Sequence, residues 1–171
     1  MKPLARGIAA AGAVVALALT GCTPSPSSAA VVDGVRIPDA SARQAAGALV
    51  AATGGDGSRA LRQATFDLTM GEASEIIAAQ QNVSVTDAEL QAVLTQSPTL
   101  AAIGQTDAGR GWANSVARTY VVLEALGQDD FTAALGDLDI EINPRYGTWD
   151  PARFTLVDSS LSRVAVADTE R

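Results

Sequence analysis

Histidine is absent from the 171 residues of this chain, and cysteine occurs only once. Without histidine, neither a Ser-His-Asp nor a Cys-His nucleophile can be assembled, and the usual zinc ligand sets are missing. No imidazole is present to carry a proton near neutral pH. An enzyme made from this chain would depend on carboxylates, tyrosine, arginine and hydroxyls alone. We therefore predict a binding protein, not an enzyme, with no catalytic residue, no cofactor and no metal.

Basic residues are also few: 12 Lys and Arg stand against 19 Asp and Glu, for a net charge of −7. Nucleic-acid binding needs clustered Lys and Arg to neutralise phosphates, so this composition argues against a nucleic-acid partner. Anionic lipid headgroups repel an acidic surface. Any attachment to a membrane is therefore expected to come from a lipid and not from a basic patch.

The N-terminus resembles a bacterial lipoprotein signal. Lys2 and Arg6 precede an apolar stretch over residues 7–19, and the run Leu19-Thr20-Gly21-Cys22 follows. The resemblance implies that residues 1–21 are removed and that the thiol of Cys22 is acylated, at the extracytoplasmic face of the cytoplasmic membrane. The alternatives are an ordinary signal peptide with an incidental cysteine, or a buried thiol. A spanning helix is not expected, because thirteen apolar residues fall short of the roughly 20 that a bilayer requires.

The mature chain that this signal predicts has 150 residues, enough for one domain with its own core. Removal of Lys2 and Arg6 leaves 10 basic residues against 19 acidic ones, a net charge of −9. With Cys22 acylated, no disulfide can form within the chain. Residues 22–30 are small and polar and predict a flexible linker, which spans roughly 15 Å and keeps the domain close to the membrane.

Two segments are the only strand candidates. Residues 31–37 place Asp33-Gly34 between β-branched residues, a strong hairpin signal. Residues 138–143 alternate apolar and acidic side chains. Each segment is too short to be stable alone, so we expect them to pair. The predicted fold is mainly α, with four to five helices and one small sheet.

The helices follow from apolar spacing and from capping residues. We predict helices over about 40–52, with Asp39 as N-cap, 59–81, with Ser58 as N-cap, 107–126, and one turn over 130–135; a short helix begins at the capping box of Thr86 and Glu89 and stops before Pro98. Gly71, in the middle of the second helix, indicates a close helix crossing. In the fourth helix, Trp112, Val116, Tyr120 and Leu123 form the expected buried stripe, and we interpret Trp112 and Tyr120 as core and not as a ligand platform.

Three acidic residues alternate along the last predicted strand: Asp137, Asp139 and Glu141. Clustered carboxylates are the ligands that calcium prefers. Their spacing does not match an EF-hand loop, and a solvated strand face explains it better.

Three of the chain's seven aromatic residues, Tyr146, Trp149 and Phe154, lie within nine residues. One interpretation is a C-terminal segment docked over the helices. The other is an exposed apolar surface that binds an unfolded client or a partner. The docked interpretation is favoured, and all three residues remain candidates for peptide or partner binding.

Three segments together resemble the SurA and PrsA family of extracytoplasmic chaperones. Residues 30–37 resemble the family's opening, with a strand, Asp-Gly and a second strand, and residues 83–90 resemble its recurrent V-T-D-x-E-L helix start. Residues 142–150 resemble the close of short SurA-like lipoproteins of actinobacteria. The resemblance covers residues 30–151 and implies a helical domain over 31–143 in which N- and C-terminal segments pair. Residues 144–171 are then an aromatic segment and a loose tail.

The resemblance also implies a function, the binding of unfolded or extended segments of exported proteins. Many family members add a parvulin prolyl-isomerase domain of roughly 100 residues. This chain has neither the length nor the histidines for one, so only peptide binding carries over. The alternatives are a scaffold or accessory subunit that binds one folded partner at the cell envelope, and, less favoured, an enzyme that uses carboxylates. The sequence predicts no oligomeric state.

Overall fold

The computed structural model of the chain describes residues 27–157, and these form six helices and five short strands. In chain order the elements are β1 (Ser28–Val32), β2 (Val35–Pro38), α1 (Asp39–Thr53), α2 (Gly57–Gln80), α3 (Asp87–Gln96), α4 (Pro98–Gly104), α5 (Arg110–Leu126), α6 (Gln128–Gly136), β3 (Ile140–Ile142), β4 (Thr148–Asp150) and β5 (Thr155–Val157). The predicted mainly α fold with a small sheet is confirmed. The signal sequence, Cys22 and the tail from residue 158 lie outside the described residues.

The main sheet has three antiparallel strands in the order β2-β1-β3. Asp33 and Gly34 connect β1 to β2 with φ angles of 46° and 81°, the left-handed pair that a tight two-residue hairpin needs. On the other side of β1, Val31 lies opposite Glu141. The predicted pairing of segments 31–37 and 138–143 is confirmed.

The linker prediction was wrong at its end. Residues 28–30 belong to β1, and Ala29 and Ala30 are fully buried. The side chain of Asn143 donates a hydrogen bond of 2.9 Å to the carbonyl of Ser28 and fixes the start of the strand. Small residues are typical of linkers, but here they allow β1 to lie closely between two strands and the helices.

Two predicted caps differ in the structure. Asp39 is the first residue of α1, after Pro38, and its carboxylate binds side chains elsewhere. The cap of α2 is Asp56, whose carboxylate accepts a 2.9 Å hydrogen bond from the backbone of Arg59; Ser58 lies inside the helix. Asp and Ser are both good caps, so sequence alone did not separate these neighbours.

The capping box of α3 is present as predicted, with Thr86 and Glu89 each hydrogen-bonded to the other's backbone. The helix predicted over 107–126 begins later, at Arg110, and α4 before it was not predicted. Ser97 accepts a hydrogen bond from the backbone of Leu100, and Pro98 fills the first helical position. A serine followed by proline is a helix-start signal, and here it starts a helix of two turns.

Helices α2 and α5 cross at Gly71, as predicted. A Cβ atom at this position would lie 2.3 Å from the Cβ of Ser115, so only glycine allows the two backbones this close. Ser74, one turn further along α2, hydrogen-bonds Thr119 of α5. The crossing is therefore fixed by the absence of a side chain and by a polar contact beside it.

The buried side chains form two clusters. The sheet core joins β1, β2 and β3 to the C-terminal half of α2 and to α6, with Val32, Ile77 and Phe131 among its members. The helical core joins α1 to α3, α4 and α5, with Leu94, Ile103 and Trp112 among its members. Helices α2 and α5 contribute to both clusters, so they connect the two ends of the domain.

Candidate functional site

Tyr146 is buried in the structure, with only 3% of its surface exposed. Its hydroxyl donates a hydrogen bond to the carboxylate of Asp39, and Arg43 lies within 3.4 Å of the same hydroxyl. Arg43 also binds the second carboxylate oxygen of Asp39 at 2.6 Å. Tyr146 therefore ties the C-terminal segment to α1 and offers no surface to a client.

Trp149 lies on a second, two-stranded sheet that the sequence did not predict, and Phe154 directly precedes the second strand of that sheet. Strands β4 and β5 pair with Trp149 opposite Leu156, and the two aromatic rings meet edge to face at 6.3 Å. Gly147, at φ 136°, lies so close to β5 that a Cβ atom there would be 2.9 Å from the carbonyl of Val157. The side chains of Trp149, Phe154 and Leu156 are half-buried against the sheet core, which favours the docked interpretation.

Trp112 belongs to the helical core, as predicted. Its Nε1 donates a 2.7 Å hydrogen bond to Asp67 of α2, and Gln63 donates one of 2.8 Å to the other carboxylate oxygen. Burial raises the pKa of Asp67, although these two hydrogen bonds favour the charged form. This carboxylate connects α2 to α5 and has the role of a structural link.

The expectation that Tyr120 belongs to the core was wrong. Its side chain is 58% exposed, and the buried side of α5 includes Ala117, Val121 and Val122 instead. Each residue of a helix is rotated by 100° from the one before it, so a small error in choosing the buried face is enough to place an edge residue such as Tyr120 in the core. Part of the buried face of α5 is formed by alanines, whose small side chains make that face hard to recognise in the sequence.

Tyr120 borders an open groove between α3, α4 and α5, which we call the α3–α5 groove. Its volume is about 450 Å³, and its lining is Val93, Gln96, Ser97, Leu100, Tyr120, Leu123 and Glu124. A second cavity of about 300 Å³ shares three of these residues and adds Ser84, Glu89, Ala92, Val121 and Ala125. Together they form a trough along α3 and the C-terminal half of α5.

The trough combines an apolar floor with acidic edges. Val93, Leu100 and Leu123 supply aliphatic surface, and Glu89 and Glu124 are exposed along its side. The hydroxyl and backbone of Thr86 donate hydrogen bonds to Glu89 and lower the pKa of its carboxyl, so this charge persists at mildly acidic pH. No Lys or Arg belongs to the lining of either cavity in the described part of the chain.

The acidic residues proposed as a solvated strand face are separated in the structure. Asp137 ends α6, the backbone of Asp139 binds Asp33, and only Glu141 belongs to β3. Glu141 is half-buried, and its Oε2 has no hydrogen-bond partner among the described residues, so the solvated interpretation was wrong for this residue. Within residues 27–157, no three His, Cys, Asp or Glu side chains are grouped closely enough to hold a metal ion.

No family model, curated protein or solved structure matches this chain. None of the helices over residues 27–157 has both the length and the apolar character needed to span a bilayer. The resemblance to SurA and PrsA proteins thus depends on the three short segments alone. The candidate site depends on the geometry of the α3–α5 groove.

Proposed function

We propose that this protein is a lipid-anchored, non-catalytic chaperone-like lipoprotein that binds extended apolar segments of exported proteins in the α3–α5 groove. The observation that carries the proposal is the exposed ring of Tyr120 beside an open apolar floor. A groove of about 450 Å³ is within the usual range for binding sites and suits a few side chains of an extended peptide. The proposed binding site is therefore this groove and not the C-terminal aromatic segment, where Tyr146 is buried.

The acidic edge determines which segments bind best. Glu89 and Glu124 attract Lys and Arg, so the favoured occupant is an apolar stretch with a basic flank. Acidic flanks are repelled by the same carboxylates. Because the groove surface is already exposed in the described structure, the domain does not have to open before a segment binds.

The test is a titration of two fluorescent peptides with the same apolar centre, one flanked by lysines and one by glutamates. We expect the lysine-flanked peptide to bind more tightly, and Tyr120→Ala to weaken it about tenfold, as truncation of an aromatic hot spot does. The matched control is Val35→Ala, which removes the other large exposed apolar side chain of the described residues. Equal affinity of Tyr120→Ala and Val35→Ala for the peptide would contradict the proposal.

The alternative is a scaffold that binds one folded partner. The same trough would then receive a preformed helix, and unfolded peptides would not compete with the partner. An aggregation assay with a reduced, unfolded client distinguishes the two: suppression of aggregation supports the chaperone-like function, and capture of a single folded envelope protein without suppression supports the scaffold.

Lipid anchoring is the second part of the proposal, and it rests on the run Leu19-Thr20-Gly21-Cys22. We expect Cys22→Ala to move the protein from the detergent phase to the aqueous phase in a partition experiment without changing its melting temperature. Equal partitioning of the variant and the wild type would contradict the anchor.

A further inference from the structure

We propose that the trough reads two side chains on one face of an extended segment. An apolar anchor fills the α3–α5 groove, and a basic residue about two to four positions away enters the cavity beside it. The inference rests on the proposed function and makes its substrate class more specific. It assigns one kind of side chain to each of the two cavities and sets the spacing between them.

The α3–α5 groove has the lining that an apolar side chain needs. Leu100 is buried beneath it, Val93 and Leu123 are half-buried, and the ring of Tyr120 is exposed at its border. An apolar side chain placed here removes its own surface and that of the lining from water, which is the main favourable contribution to binding. The anchor of the segment is therefore an aliphatic or aromatic residue.

The neighbouring cavity, which we call the acidic cavity, has a different lining. Ala92, Val121 and Ala125 give it small apolar walls, and Glu89 and Glu124 supply two carboxylates. Lys and Arg lay their methylene stems along apolar surface and keep the charged end beside water or an acid. No basic side chain of the described residues lines this cavity, so the cation that it suits has to come from the bound segment.

Both carboxylates of the acidic cavity are accessible to a cation. Glu124 is exposed, and its side chain has no ion pair or hydrogen bond within residues 27–157. Thr86 donates both of its hydrogen bonds to Oε2 of Glu89, so Oε1 keeps its lone pairs. The donors of Thr86 are neutral and leave the negative charge of Glu89 in place. Glu124 also lines the α3–α5 groove, which places the bound cation close to the apolar anchor.

The spacing follows from the length of the trough. Glu89 is eight residues before Ser97, which ends α3, and this is about 12 Å along the helix axis. On α5, Ala125 is five residues after Tyr120, or about 8 Å. Each pair reaches from one cavity to the other. An extended chain advances about 3.4 Å per residue and alternates its side chains between two faces, so spacings of two and four residues fit, and a spacing of three points to the wrong side.

A helical occupant would follow a different pattern. A helix rises about 1.5 Å per residue, so the same length of trough corresponds to about five to eight residues. Within that range, a residue about seven positions away returns to the face of the anchor, whereas a residue two positions away lies on nearly the opposite face. The position at which a basic residue improves binding therefore distinguishes an extended segment from a preformed helix.

The experiment measures peptide affinity for the full, acylated protein in phosphatidylcholine vesicles, whose zwitterionic headgroups do not attract lysine. Each fluorescent peptide has one phenylalanine in a background of serine and threonine. One lysine stands one to eight residues after the phenylalanine, and a second set places it before. The reference peptides have glutamine in place of the lysine, and empty vesicles give the background.

We expect lysine two or four residues from the phenylalanine to improve affinity about threefold over the glutamine reference, and lysine three residues away to improve it less. Glu89→Gln and Glu124→Gln should each reduce this gain, and glutamine at position 89 still completes a capping box. The control is Asp87→Asn, which removes an exposed charge from the same turn of α3 but outside both linings. It should leave the gain unchanged.

The outcomes separate this inference from the proposed function. If Tyr120→Ala weakens binding but the position of the lysine has no effect, segments bind in the groove and the assigned spacing is wrong. If the gain is the same in the double variant Glu89→Gln/Glu124→Gln, the carboxylates do not hold the lysine and the inference is wrong.

Two further results would also overturn the inference. If lysine improves binding only at about seven residues from the anchor, the occupant is a helix, which favours the scaffold. If no peptide binds, or if Tyr120→Ala binds every peptide as tightly as the wild type does, the proposed function is wrong and the spacing is wrong with it.

Discussion

The C-terminal segment over residues 144–157 and the α3–α5 groove both present aromatic and acidic side chains, but they are built in opposite ways. In the C-terminal segment, the hydroxyl of Tyr146 is bound to Asp39 and its ring is buried, so the aromatic group closes the domain. At the groove, Tyr120 is exposed beside an aliphatic floor, Glu124 lines the same cavity, and Glu89 lines the adjoining one. We therefore place the proposed binding surface at Tyr120, whose ring is exposed, and not at Tyr146, whose ring and hydroxyl hold the fold together.

The largest expected effect is the difference in stability between two variants, each of which truncates one of the two tyrosines to alanine. Tyr146→Ala should lower the free energy of unfolding by about 3–5 kcal/mol, because truncating a buried aromatic leaves a cavity. Tyr120→Ala should change it by less than about 0.5 kcal/mol, because an exposed side chain loses little on removal. Denaturant titration of both variants measures the contrast, and similar losses of stability in the two would remove it.

Trp149→Ala should have an intermediate effect. The ring is half-buried against the sheet core and contacts Phe154, so we expect a loss of about 1–2 kcal/mol. Peptide binding in the groove should be unchanged, since Trp149 is not among the lining residues. If Trp149→Ala lost peptide binding without a change in stability, the peptide would bind at the C-terminal segment and not in the groove.

Tyr146→Phe isolates the polar contact of the docked segment. The ring stays buried and only the hydroxyl that donates to Asp39 is lost, and a hydrogen bond to a charged group contributes about 1.5–3 kcal/mol. Arg43 still partners Asp39, so we expect the lower end of that range. Asp39→Ala in the same background measures the coupling, and a stability change near zero in Tyr146→Phe would show that packing alone holds the segment.

The smallest effects concern pH, and they have opposite signs at Asp67, which connects α2 to α5, and at Glu89, at the acidic edge of the trough. The folded-state pKa of Asp67 is raised by burial, so the native state binds its proton more readily than the unfolded state, and its contribution to stability increases as the pH falls from neutral toward about 4. The pKa of Glu89 is lowered by the hydrogen bonds from Thr86, so its contribution is present above the ordinary glutamate pKa and is lost as the pH falls below it.

The matched variants Asp67→Asn and Glu89→Gln test those signs. Asn has one acceptor oxygen for the two donors Trp112 and Gln63, so Asp67→Asn carries a loss of stability that does not depend on pH. Beyond that constant loss, the variant should compare more favourably with the wild type at pH 7 than at pH 4. Glu89→Gln should destabilise more at pH 7 than at pH 3. Melting temperatures across this range measure both differences. The same direction of change in the two variants would contradict the assigned causes.

Local signals predicted the fold well because they act over short distances. The Asp33-Gly34 turn and the capping box at Thr86 depend on the local preferences of one or two residues, and the crossing at Gly71 depends on the missing side chain of a single residue. The small sheet followed from elimination, as few other segments alternated. Helix α4 was missed because its seven residues are too few to show an apolar period.

The candidate site was less predictable. Tyr120 and Tyr146 are each the single tyrosine of a mixed segment, and which of them is buried depends on how α3 and the C-terminal segment pack over the core. Those contacts join residues far apart in the chain, such as Asp39 and Tyr146. The residues next to a tyrosine in the sequence therefore do not show which distant group its hydroxyl will bind, or whether its ring will be buried.

The central position of β1 has a consequence for the order of folding if the chain is exported as proposed above. Val31 pairs with Arg36 on one side and with Glu141, 110 residues later, on the other. Closing a loop of that length costs entropy before the contact is gained, and such distant pairings slow folding. A chain emerging from a translocation channel with its N-terminus first would have its hairpin and helices outside while one edge of β1 still had no partner. The sheet could then be completed only after β3 had emerged. Until that point, an anchored N-terminus would keep the unpaired edge of β1 beside the membrane.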